Sequence, residues 1–195
     1  MNIVALDPGL VGTGIAVFQV KTDMPILVDL HCILPKREDN EKSKALSDVR
    51  RIMEHVDGLQ PYIEDADLVL VELPHGGAKS ARATRSMALI TGAVAAVVRL
   101  GGVRVAWFTP RETRMAAVGV PKADKSDIIA AMSKIYPELK LIKSLARQEH
   151  IADALATYEA GVIRGDVQKA VNLHLALLEA KQAKAGLGRN VTVVA

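Results

Sequence analysis

Short apolar runs and longer amphipathic stretches alternate along the chain, and their order predicts the architecture. Ile3-Val4-Ala5-Leu6 is an apolar run that ends on Asp7, followed by Pro8-Gly9 and then Gly12-Thr13-Gly14. Its length and composition predict a strand buried on both faces, ending at a glycine-rich turn. Ile15 to Val20 and Ile26 to Leu34 have similar composition and are parted by a polar turn around Thr22-Asp23. Together these segments predict an antiparallel three-strand meander. Pro35 to Glu41 is charged and aperiodic, and reads as a loop. From Lys44, the residues Leu46, Val49, Ile52, Met53, Val56 and Leu59 recur at helical spacing. They predict an amphipathic helix of about four turns, closed by Pro61. Leu68-Val69-Leu70-Val71 predicts a fourth buried strand, and it too ends on a carboxylate, Glu72.

Pro74-His75-Gly76-Gly77 reads as a loop into a helix from about Ser80 to Leu100, which Gly101-Gly102 closes. Val103 to Phe108 predicts a fifth strand, and Thr109 to Lys125 a basic loop. Ile128 to Ile135 predicts a short helix stopped before Pro137, and Ser144 to about Ile163 a further helix. A last helical stretch covers Asp166 to Lys184, and Leu187 to Ala195 forms a small tail, strand or loose. This order is that of an α/β protein with a five-stranded mixed sheet, an antiparallel meander plus two parallel strands, flanked by helices. No repeat or linker divides it, so residues 1–165 are expected to form one domain and 166–195 a helical extension of it.

Composition narrows the class. A chain of 195 residues, 50% apolar and 24% charged, is long enough for one well-buried domain and is not broadly disordered. Its single cysteine, Cys32, excludes an internal disulfide and a cysteine-based zinc cluster, and suits a reducing, cytoplasmic setting. The longest nearly apolar run, Met87 to Val98, contains Thr91 and Gly92 and falls short of a membrane span, so no membrane association is expected. Charge is unevenly placed. Between Pro74 and Lys125 stand nine basic residues (Lys79, Arg82, Arg85, Arg99, Arg104, Arg111, Arg114, Lys122 and Lys125) against Glu112 and Asp124, in a chain whose total is only +3. Such asymmetry points to a polyanionic partner, with a solvated helix face as the plainer alternative.

The chemistry lies in a constellation of four residues. Asp7 and Glu72 end two strands, and Glu149-His150-Ile151-Ala152-Asp153 puts His150 and Asp153 three apart on one helix, where they can share a target. Two strand-end carboxylates facing a His/Asp pair make a hard, oxygen-rich site for a divalent cation, Mg²⁺ or Mn²⁺ rather than zinc. The helix from Ser80 carries a face of small residues, Ala81, Ala88, Gly92, Ala95 and Ala96. That face fits either another helix of the chain or a second copy of it.

Four blocks in register resemble the RuvC family of Holliday-junction resolvases, within the RNase H-like, retroviral integrase-like superfamily. They are Leu6-Asp7-Pro8-Gly9 with Thr13-Gly14, Val71-Glu72, Val118-Gly119-Val120 with Ala123-Asp124-Lys125-Ser126, and His150 through Ala156. The resemblance implies an RNase H-like fold and a homodimer that cuts four-way DNA junctions in recombination and repair. It implies that Asp7, Glu72, His150 and Asp153 are the catalytic, metal-binding positions, with two Mg²⁺ ions per site and Mn²⁺ able to substitute. Hydrolysis in that setting yields a 5′-phosphate and a 3′-hydroxyl. His150, where many members carry aspartate, serves either as ligand or as general base. Arg114 and Lys125 match basic residues that contact DNA phosphates. His75 stands where the best-known members place an aromatic residue at the junction centre. With Lys79, Arg82, Arg85, Arg111 and Lys122, these residues make the expected DNA-binding set.

Three alternatives accompany this reading: a related nuclease acting on other branched DNA or structured RNA, a catalytically degenerate nucleic-acid scaffold, and an ATPase or sugar kinase of the actin-like fold. The last needs a second homologous lobe, for which the chain has no room.

Overall fold

The computed structural model describes residues 1–21, 24–36, 43–74 and 80–187. The turn expected at Thr22-Asp23, most of the loop from Pro35 to Glu41, His75, Lys79 and the C-terminal tail from residue 188 lie outside the described residues.

Apolar alternation produces the expected strands: β1 (Asn2–Gly9), β2 (Gly12–Val20), β3 (Pro25–Ile33), β4 (Leu68–Glu72) and β5 (Arg104–Phe108). They form one sheet in the order β3-β2-β1-β4-β5. The β1/β2 and β2/β3 pairs are antiparallel, and β4 pairs in parallel with both β1 and β5. This is the mixed five-stranded sheet with flanking helices that the run pattern predicts.

The described residues form six α-helices around the sheet: α1 (Lys44–Glu64), α2 (Ala81–Leu100), α3 (Pro110–Val118), α4 (Lys125–Ile135), α5 (Leu145–Arg164) and α6 (Asp166–Leu187). Because successive strand residues point to opposite faces, the core divides into two layers. Ile3, Ala5, Ala16, Phe18, Leu68 and Leu70 pack against α4, α5 and α6. Val4, Leu6, Ile15, Val69 and Val71 pack against α1 and α2, through Leu59, Ile63, Ile90, Val94 and Val98. Asp7 and Glu72 continue the phase of Ala5 and Leu70, so both strand-end carboxylates belong to the α5 face. The C-terminal extension is joined to the same layer: Val167, Ala170 and Val171 of α6 are buried in the α5-side core.

Three local expectations are corrected. First, α1 does not close at Pro61 but runs through it to Glu64. A proline in a helix interior removes one backbone hydrogen bond, and here Leu59 and Ile63 on either side are both buried against the sheet, so packing carries the last turn. Second, the buried face of α1 is only partly the one that its apolar residues mark: Leu59 is buried and Ile52 packs against the same core. Leu46, Val49 and Met53 are exposed, whereas Asp48 and His55 are completely buried with Leu59 and Ile63. Third, the basic stretch after β5 is not all loop. Residues 110–118 form α3, started by a capping box in which Thr109 and Glu112 bond reciprocally, with Pro110 in the first turn.

The interior position of Asp48 has a clear cause. Its carboxylate accepts from Arg85 Nη2 at 2.6 Å and Arg82 Nη2 at 3.3 Å, fastening α1 to α2. By length and composition α2 could cross a membrane, with a mean hydropathy of 1.3. In this fold its Ile90, Val94 and Val98 instead cover the sheet.

Candidate active site

The site forms where β1 and β4 end beneath the N-terminal half of α5. Asp7 comes from β1, Glu72 from the adjacent parallel strand β4, and His150 and Asp153 from α5. Glycines make this assembly possible. A Cβ on Gly14 would stand 1.9 Å from the His150 carbonyl oxygen, and one on Gly12 2.7 Å from His150 Nε2 and Cδ2. Without side chains at these positions, α5 lies directly against β2 and the His150 ring rests on the β1–β2 turn.

His150 Nδ1 donates to Asp7 Oδ2 at 2.8 Å. This bond to Asp7 is the main reason that the His150 pKa is raised, against the opposing effect of burial. Glu72 is held from the other side: the hydroxyl of Thr113, on α3, donates to Glu72 Oε2 at 2.8 Å. Thr113 is almost fully buried and was not singled out in the sequence, although the capping box of Thr109 and Glu112 just ahead of it marks the helix that carries it.

The carboxylates press on one another. Burial, followed by the charges of Asp7 and Asp153, pushes the Glu72 carboxyl up to about 8 despite the Thr113 bond. Burial and the Asp7 charge push Asp153 up to about 7, with Lys125 and His150 opposing the shift. Glu72 and Asp153 line a cleft of about 240 Å³ with Thr113, Arg114 and Lys125. Lys125 Nζ reaches Glu149 Oε2 at 2.8 Å on the rim.

Among the described residues, no three His, Cys, Asp or Glu side chains are gathered closely enough to hold an ion as they stand. Asp7 and His150 satisfy one another, while Glu72 and Asp153 sit further into the cleft. The donor chemistry nevertheless fits a hard divalent cation. Repelling, largely buried carboxylates with raised pKa values are a set whose charge a cation neutralises, at the cost of displacing protons.

The other basic residues fall into two groups. Arg114 lies on the cleft with Lys125, and Arg111 and Lys122 are exposed nearby on α3 and the turn after it. Arg82 and Arg85 instead spend their guanidinium groups on Asp48, on the opposite side of the sheet from α5. The small residues of α2, Ala81, Ala88, Gly92, Ala95 and Ala96, are all exposed in the single chain, so they do not serve intrachain helix packing.

Comparison with known proteins places the chain in a family. The family model described as "Crossover junction endodeoxyribonuclease RuvC" matches residues 3–158. The chain belongs to the RuvC family. Among curated RuvC proteins, that of Treponema denticola is 24% identical over 165 residues, covering 85% of this chain and 87% of the relative. The RuvC of Clavibacter sepedonicus is 27% identical over 171 residues, covering 86% and 80%. Among solved structures, Thermus thermophilus RuvC in complex with a Holliday-junction substrate superposes with a TM-score of 0.62 at 22% identity, over 86% of this chain and 96% of that one. Fowlpox virus resolvase, solved with Holliday-junction DNA, gives 0.50 at 14% identity, over 83% and 99%. At such identities the structural likeness establishes the RuvC fold, and family membership rests on the family model.

Proposed function

We propose that this RuvC-family protein is an endonuclease that resolves four-way DNA junctions by metal-assisted hydrolysis, in DNA recombination and repair in the cytoplasm. The observation that carries the reading is the convergence of Asp7, Glu72 and Asp153 on one face of the sheet, with two carboxyl groups pushed up to about 8 and about 7 beside the cationic Lys125 and Arg114. Membership of a family named for crossover-junction cleavage supports the choice of substrate.

Asp7, Glu72 and Asp153, with His150 as a fourth donor through a ring nitrogen, would hold the cations, two Mg²⁺ per site with Mn²⁺ able to substitute. When bound, such ions lower the pKa of water and stabilise charge on the departing oxygen. The products are a 5′-phosphate and a 3′-hydroxyl. His150 orients Asp7 through Nδ1, and Thr113 orients Glu72. Lys125 and Arg114 offset phosphate charge at the cleft, and Arg111 and Lys122 extend the backbone contact. Arg82 and Arg85, held by Asp48, act chiefly within the fold, and any contact they make with DNA uses the exposed half of their side chains. His75 and Lys79, which precede α2 in the sequence, complete the proposed DNA-binding set.

A homodimer suits a substrate with two equivalent strands to cut, and the exposed small-residue face of α2 supports that assembly. The test is cleavage of four-way junctions, flaps, forks and linear duplex with Mg²⁺ or Mn²⁺. Paired, symmetric nicking of the four-way junction is expected. Cleavage of none of these substrates would overturn the reading, and cleavage of flaps or forks alone would favour the other branched substrates.

A further inference from the structure

The turn that seats His150 is held from behind. Gly9 pairs with Gly12, leaving Leu10 and Val11 as a two-residue hairpin loop. Two-residue hairpins favour turns of type I′ or II′, which require positive φ at the first central residue, because only these match the twist of the strands. Neither Leu10 nor Val11 has positive φ. The local backbone therefore lacks the geometry that makes such a hairpin self-supporting, and something else must fix it.

His55 supplies the support. It projects from α1, on the sheet face opposite α5, and is completely buried. Its Nε2 lies 3.2 Å from the Leu10 carbonyl oxygen and its Nδ1 3.0 Å from Thr13 Oγ1. A carbonyl only accepts, so Nε2 carries the hydrogen and Nδ1 accepts from the Thr13 hydroxyl. Burial lowers the His55 pKa, consistent with this neutral tautomer. Thr13 is also completely buried. Two completely buried polar side chains are costly to bury, and here they bond to each other and to the turn.

Thr13 and Gly14 are neighbours on β2, their substituents directed to opposite faces of the sheet. The clasp on Thr13 and Leu10 therefore positions the strip of backbone, Gly12 to Gly14, on which His150 and the start of α5 rest. We infer that His55 is a positioning residue for the Asp7–His150 pair, acting across the sheet through the Leu10 carbonyl and the Thr13 hydroxyl. Its consequence for cleavage rests on the nuclease reading above, whereas its consequence for the His150 ring does not.

The test uses the full chain with His55→Leu, His55→Gln and Thr13→Val. Gln can donate to Leu10 and accept from Thr13, whereas Leu can do neither. Imidazole ¹⁵N–¹H spectra of metal-free protein report the His150 ring directly. His55→Leu and Thr13→Val should shift the His150 resonances, and His55→Gln should return them toward wild type. In single-turnover junction cleavage, a misplaced catalytic group should cost His55→Leu about tenfold or more. Junction affinity, set by phosphate contacts from residues other than His55 and His150, should stay within about twofold. An unmoved His150 ring in folded His55→Leu overturns the inference, as does a His55→Gln variant as impaired as His55→Leu. If His55→Leu does not fold, Thr13→Val decides by the same two readouts. A His150 ring that responds in a protein that cuts no junction upholds the positioning role and overturns the nuclease reading instead.

Discussion

His150 Nδ1 and Asp7 Oδ2 are 2.8 Å apart although 143 positions separate them in the chain. The pair joins the end of a central strand to the helix that covers it, and each partner limits what the other can do. While Asp7 occupies Nδ1, only Nε2 of His150 is left for a cation or a proton, and that atom rests against Gly12.

Replacing Asp7 by Asn keeps a hydrogen-bond acceptor for His150 but removes the charge central to the cluster. Cleavage of a four-way junction in Mg²⁺ is expected to fall by at least about a hundredfold, since a cation site contributes several kcal/mol to such transition states. Binding in Ca²⁺, measured by gel shift, should be preserved, because the proposed phosphate contacts come from the basic residues. Cleavage that survives the substitution would remove Asp7 from the site.

Glycine substitutions separate close approach from open surface. Gly14→Ala puts a Cβ 1.9 Å from the His150 carbonyl oxygen, a backbone atom that cannot yield without moving α5. A loss of about 3 kcal/mol or more is expected from such overpacking. Gly92→Ala meets nothing within 4 Å in the single chain and sits inside α2, so in the monomer it should be neutral or stabilise by up to about 1 kcal/mol. Thermal unfolding of both variants checks the contrast.

Arg85 and Arg114 should part company in the same assays. Arg85→Ala deprives the fully buried Asp48 of its shorter ion pair. About 2 kcal/mol of stability should be lost, less than for a fully buried pair because the Arg85 side chain is about half exposed. Arg114→Ala should leave the unfolding midpoint almost unchanged while weakening junction binding and reducing its salt dependence by about one counterion. Equal effects of the two substitutions on DNA affinity would return Arg85 to the DNA interface.

Stability without metal should fall as pH rises through the site. Glu72 and Asp153 are pushed up to about 8 and about 7, above their ordinary values of 4.5 and 3.8, so the folded state binds more protons than the unfolded one between those limits. Their stabilising protonation is complete below about pH 4 and is lost by about pH 8. In chelator, Glu72→Gln should therefore match wild type near pH 4 and gain on it toward pH 8, followed by thermal melts. Mg²⁺ should raise the wild-type midpoint more at pH 8 than at pH 5, because it binds the ionised carboxylates. A wild-type advantage that grows with pH in chelator would contradict the crowding of these charges.

Local pattern alone determined much of this protein. The four-residue apolar runs at Ile3 and Leu68 announced central strands, and the carboxylates that close them announced the candidate site, because a charge at the end of a buried strand needs a partner. The three-residue spacing of His150 and Asp153 placed both on one helix, and register between β1 and β4 brought Asp7 and Glu72 to the same face. What tertiary structure decided was which polar residues go inside. Asp48 and His55 are buried in place of Leu46 and Met53 because their partners, Arg82 and Arg85, Leu10 and Thr13, lie 34 to 45 positions away, beyond any helical or strand period. The glycines after Asp7 likewise read locally as a turn, while their crowding by His150 shows them to be the surface on which α5 sits. Periodicity records a residue's neighbours along the chain. The energy of a buried polar group depends on whichever distant group meets it, and only the folded chain specifies that.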